Sequence, residues 1–107
     1  VLGRAVHCVM DRPLGSRHPR YPDMLYPVNY GCVPGVLAGD GAEQDVYVLG
    51  PTVPLETFDG VVIAVIHRFD DCEDKWVVAE AGARYTAEDI RAAVAFQEKY
   101  YRSEILL

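Results

Sequence analysis

A chain of 107 residues has room for one hydrophobic core, and a single domain over residues 1–107 is expected. Half of the residues are apolar and 24% are charged, a globular balance that excludes wholesale disorder. The formal net charge of −6 argues against a nucleic-acid or anionic-membrane partner, both of which need clustered Lys and Arg.

No apolar run approaches the ~20 residues of a membrane-spanning helix. Cys8, Cys32 and Cys72 form no CxxC pair and are odd in number, so reduced thiols in a cytoplasmic protein are expected rather than a disulfide framework. The sequence opens at Val1 without a methionine, which leaves room for residues upstream, and no segment in view reads as a signal peptide.

The first predicted element is a short strand at residues 5–10, rich in β-favouring side chains. Residues 11–22 carry three prolines and a glycine and cannot be regular structure. That loop also holds Arg12, Arg17, Arg20 and His18, either as solvated surface or as an anion-binding fork. A strand is predicted over 24–26 and 29–33, bent at Pro27 and broken at Pro34-Gly35. Tyr26 and Tyr30, four residues apart, share a face of it if it is regular.

Next comes Asp40-Gly41-Ala42-Glu43-Gln44-Asp45, a glycine turn carrying carboxylates, followed by a strand at 46–49. Carboxylates on such a turn suit a hard divalent cation, which takes oxygen ligands and leaves positions for water and phosphate. Residues 61–66 are a continuous β-branched run, read as a strand buried on both faces. His67 closes it and is read as structural. Asp70, Asp71, Glu73 and Asp74 crowd one turn and must be solvated or share a cation. Lys75 and a strand at 76–79 follow. Thr86 and Asp89 form a capping box, and Ile90, Val94, Phe96 and Tyr100 recur at helical spacing to about residue 103. Five short strands and one C-terminal helix predict a mainly β fold, a small OB-like barrel.

Two motifs resemble the soluble inorganic pyrophosphatases. Tyr26-Pro27-Val28-Asn29-Tyr30-Gly31 matches that family's Y-P-x-N-Y-G strand, and Asp40 and Asp45 match the outer aspartates of its D-G-D-P-x-D turn. The resemblance implies the family's barrel, Mg²⁺ as cofactor and diphosphate as substrate. It also implies Asp40, Asp45, Asp71 and Asp74 as metal ligands, with Asp70 and Glu73 as alternatives in the second turn. Lys75, Arg17, Tyr101 and Arg102 would contact phosphate, and Tyr30 would border the site. The middle aspartate of the family's turn, its general base, is Ala42 here, so the adjacent Glu43 is the expected replacement. General-base assistance is worth roughly 10²–10⁴ in rate. Three readings follow: a diphosphate hydrolase, a degenerate module that binds metal and a phosphorylated ligand, or a hydrolase of another phosphoanhydride. Self-association would be one way for so small a barrel to complete its burial.

Overall fold

The computed structural model describes residues 1–107. Strands β1 (Ala5–Arg12), β2 (Asn29–Leu37), β3 (Glu43–Val48), β4 (Thr57–Arg68) and β5 (Asp74–Ala79) form one sheet. Its neighbour order is β1-β2-β3-β5-β4, and β4 also pairs with β1, so the sheet closes into a five-stranded barrel. All barrel pairings are antiparallel except β3 with β5, which run parallel with Tyr47 opposite Val77. Helix α1 (Ala87–Glu98) then crosses the outside, and β6 (Ser103–Leu106) adds to the far end of β4.

Strand alternation sorts the apolar residues into two layers. Val6, Cys8, Met10, Val46, Val48, Val62, Trp76 and Val78 fill the barrel interior. Their strand neighbours Tyr47, Leu49, Ala64, Ile66 and Val77 face outwards and are covered by Ile90 and Val94 of α1, together with Tyr26 and Tyr30. The shared face foreseen for Tyr26 and Tyr30 is present, with ring centroids 5.6 Å apart. At Gly31 a Cβ would stand 2.0 Å from the Val9 carbonyl oxygen, so only glycine lets β1 and β2 approach this closely.

Several boundaries differ from the sequence expectations. β2 runs through Pro34-Gly35 with a register shift between Val33 and Leu37, so the strand bulges there instead of ending. Residues 24–26 are not a strand: Leu25 makes one isolated bridge with Arg17, and the Tyr26 amide donates to the Ser16 carbonyl at 2.9 Å. Pro22 and Pro27, flanking this segment, have no amide hydrogen with which to extend a ladder. The helix stops at Glu98, short of residue 103, because the chain turns at 99–101 and re-enters the sheet as β6. The Thr86 capping box is present, with Oγ1 accepting from the Asp89 amide at 3.1 Å and the Thr86 amide donating back at 3.0 Å.

Candidate active site

Because β3 and β5 run parallel, the turns that precede them open on the same rim of the barrel. From β3, Asp45 projects outward on the face of Tyr47. From β5, Lys75 projects on the face of Val77, and the two meet with Lys75 Nζ 2.5 Å from Asp45 Oδ2. Lys75 Nζ is also 3.6 Å from Glu73 Oε2. Tyr30 adjoins Asp45; burial first, and then the Asp45 charge, hold its hydroxyl well above the ordinary phenol range. Tyr30, Asp45 and Lys75, three of the residues expected at the site, therefore do converge.

The hub of this rim is Arg68, the last residue of β4, whose side chain is only 4% exposed. Its Nε and Nη2 donate to Glu98 Oε1 and Oε2 at 2.8 and 2.5 Å, a two-pronged pairing. Its Nη1 reaches Asp71 Oδ2 at 3.2 Å and Glu73 Oε2 at 3.3 Å. Burial alone would favour loss of the Arg68 proton, but the bond to Glu98 outweighs it and fixes the charge. Tyr47 Oη donates to Glu98 at 2.6 Å and accepts from Gln97 Nε2 at 2.7 Å. Gln97 Oε1 accepts from Tyr26 Oη at 3.1 Å, and that oxygen accepts from Arg12 Nη1 at 3.3 Å. One hydrogen-bonded chain thus runs from Arg12 under the end of α1 to the acidic turn.

Of the other predicted residues, Asp71 and Tyr101 lie against Arg68, while Asp74, Glu43, Arg17 and Arg102 fall elsewhere. Asp74 faces the opposite side of β5 from Lys75 and pairs with His67 at 2.6 Å, where both side chains stay partly exposed. Glu73 takes its place at the rim, since residues 73 and 75 share a face and 74 cannot. Glu43 turns to the bulge in β2: its carboxylate accepts from the Gly35 amide at 2.7 Å and lies 3.9 Å from Cys32 Sγ. Arg17 is exposed and donates to the Pro22 carbonyl at 2.9 Å. Arg102 extends into solvent, 3.8 Å from Asp70, while its amide donates to Asp70 Oδ2 at 2.7 Å. The Tyr101 ring, by contrast, stacks under Arg68, whose guanidinium carbon is 3.8 Å from the ring centroid. Asp40 accepts from the Ala42 amide at 3.0 Å and also meets Glu73. Burial first, then hydrogen bonding to Asp40 and the charge of Asp71, raise the Glu73 carboxyl above its usual range against the pull of Lys75 and Arg68. Burial also pushes Asp71 upward, but the Glu73 amide and Arg68 outweigh it and leave that carboxyl lowered.

The family model for inorganic pyrophosphatase matches residues 10–101. The chain belongs to the inorganic pyrophosphatase family. An inorganic pyrophosphatase of Aeropyrum pernix is 40% identical over 53 residues, which make up 48% of this chain and 30% of that protein. The match therefore spans about 30% of the length of that curated relative. An inorganic pyrophosphatase structure from Neisseria gonorrhoeae superposes with a TM-score of 0.65 at 26% identity, over 92% of this chain and 74% of that one. One from Ehrlichia chaffeensis reaches a TM-score of 0.72 at 17% identity, over 97% of this chain and 85% of that one, a likeness of fold.

Pyrophosphatases are generally metal-dependent, and the donors on this rim bear on whether a cation fits. No three His, Cys, Asp or Glu side chains stand within common coordinating reach. Asp40 and Asp71 both push the Glu73 carboxyl upward, a crowding of negative charge that a hard divalent cation relieves. Asp40, Asp45, Asp71 and Glu73 all offer oxygen, so the donor chemistry fits.

Arg68 and Glu98 are the residues of this rim that motif reading missed, and both carried a signal. Glu98 continues the buried helical stripe Ile90, Val94, and Arg68 lies on the buried face of β4 two residues after Ile66. A charge at a core position requires a partner.

Proposed function

We propose that this pyrophosphatase-family chain hydrolyses inorganic diphosphate to phosphate with Mg²⁺ as cofactor. The observation that carries the reading is the Lys75–Asp45 pair, set against Glu73, Asp71 and Arg68 on one rim. Asp40, Asp45, Asp71 and Glu73 are the oxygen donors that would hold the metal, leaving positions for water and substrate. When bound, Mg²⁺ neutralises diphosphate and acidifies the attacking water.

Lys75 and Arg68 supply fixed positive charge for the oxygens on which charge develops as the anhydride opens. Both are already held by carboxylates, so they keep their orientation without substrate. Tyr30, kept neutral, donates its hydroxyl proton toward the same rim. Ala42 offers no carboxylate for the water's proton. The Asp40 and Glu73 carboxylates, one on each acidic turn, are the acceptors at hand. The three free thiols accord with a reducing cytoplasmic setting.

A second reading follows from Ala42 and from the turning of Glu43 to Gly35: a module that retains metal and phosphate binding without turnover. Phosphate release from diphosphate under Mg²⁺ titration separates the two, comparing wild type with Asp45→Ala and Lys75→Met. Mg²⁺-dependent release lost in both variants supports the hydrolase. Absence of release from wild type, with Mg²⁺ or diphosphate still raising its Tm, establishes the binding module instead.

A further inference from the structure

A cavity of about 910 Å³ opens above Lys75 and Arg68, between the loop at residues 18–25 and the C-terminal end of α1. Its volume lies near the upper end of the ~300–1,000 Å³ range of sites that engulf drug-sized ligands. Diphosphate alone would leave most of it to water. Its lining inverts the charge balance of the chain: Arg20, Arg68, Lys75 and Lys99 face it, against the single acid Asp23. Arg68 and Lys75 at the floor are paired with Glu98, Asp71, Asp45 and Glu73, whereas Arg20 and Lys99 on the walls form no ion pair.

Aromatic rings line the same walls at a distance from the cationic floor. On the loop side Tyr21 is 57% exposed and lies against His18, with ring centroids 5.2 Å apart. On the helix side Tyr100 is 64% exposed, and Lys99 Nζ is 5.3 Å from its ring centroid. Neither tyrosine belongs to the buried core. A cationic floor flanked by exposed rings is the arrangement that takes a polyanion carrying a planar group, because a nucleobase stacks on an aromatic face whatever its identity.

We infer that this cleft accepts a nucleoside diphosphate, its anhydride over Lys75 and Arg68 and its base against Tyr21 or Tyr100. The inference rests on the hydrolase reading above. In the reaction, water oxygen bonds to the terminal phosphorus and the bridging P–O bond breaks. The bond's electron pair leaves on the nucleoside monophosphate oxygen, and the water's proton passes to the rim carboxylates and then to solvent. No other reactant is needed.

The test measures phosphate release from ADP and from diphosphate, each with Mg²⁺, by wild type, Tyr21→Ala, Tyr100→Ala and Tyr21→Phe. Expected are release from ADP and a KM for ADP raised roughly tenfold by at least one alanine variant. Tyr21→Phe, which keeps the ring, and every KM for diphosphate should stay at the wild-type value. Release from diphosphate with none from ADP overturns this inference and leaves the hydrolase reading intact. ADP that binds without being cleaved overturns it equally. Release from ADP alone supports it and removes diphosphate as the substrate, whereas release from neither overturns both.

Discussion

Arg68 and Glu98, thirty positions apart, meet beneath the end of α1 through two N–H···O contacts of 2.8 and 2.5 Å. The helix thereby sets the position of the guanidinium, whose third contact group points at Asp71 and Glu73. Truncating one partner of a buried pair strands the other charge, at a cost of ~3–5 kcal/mol. Glu98→Ala should therefore lower the free energy of urea unfolding by that amount and abolish phosphate release. The double change Arg68→Met with Glu98→Met should recover most of the stability, because no charge is left unpaired, yet leave release lost. Recovery of both would show that the pair is purely structural.

Glu73 and Asp74 are neighbours in sequence, but Glu73 meets Arg68 and Lys75 while Asp74 pairs with His67. Glu73→Gln is expected to reduce phosphate release by roughly 10²-fold, within the range of general-base and charge-stabilising effects. Asp74→Asn, which disturbs only the exposed pair with His67, should change it by less than about twofold. Parallel rate measurements on the two variants check the assignment, and equal losses would contradict it.

Glu73 also links pH to stability. Its carboxyl is raised in the folded protein, chiefly by burial, so its contribution is fully present below its unfolded pKa and is lost as pH rises through the folded value. Glu73→Gln mimics the protonated form. The variant should gain Tm relative to wild type at pH 7, and the difference should shrink on acidification towards pH 4. A difference that does not vary with pH would show that the charged form is not disfavoured.

Asn29 gives the Y-P-x-N-Y-G motif a structural rationale. Fully buried, it accepts from the Leu14 and Leu55 amides at 2.9 and 3.0 Å and donates to the Val53 carbonyl at 3.0 Å. It staples two loops to the start of β2. Asn29→Ala orphans two buried amides at ~1–3 kcal/mol each, so denaturant unfolding should show a loss of at least ~2 kcal/mol. Asn29→Asp should recover part of this, since a carboxylate still accepts from both amides.

These residues also show what was legible beforehand. The acidic turns, the capping box and the Asn29–Val33 part of the tyrosine strand rest on local spacing and appear where it implies, whereas the strand expected at 24–26 does not form. What failed was non-local. Choosing both Asp74 and Lys75 for the rim ignored the alternation that makes adjacent strand residues diverge. Glu43 stood next to Ala42 in sequence, but the β2 bulge presents it with the Gly35 amide, a partner set by a strand pairing that only the fold reveals. The helix was extended to about residue 103 because Tyr100 kept the helical period, while the pairing of β6 with the end of β4 is tertiary and leaves little trace in a four-residue strand.

The parallel pairing of β3 and β5 has an evolutionary corollary. Had the two strands run antiparallel, the glycine turn and the acidic turn would sit at opposite ends of strands six residues long, roughly 20 Å apart. Running together, they bring two loops of unrelated sequence to one address, whatever those loops contain. Chemistry at this address can thus be rewritten by exchanging turn residues, as at Ala42, without disturbing the barrel wall. The scaffold tolerates a change of trade more readily than a change of shape.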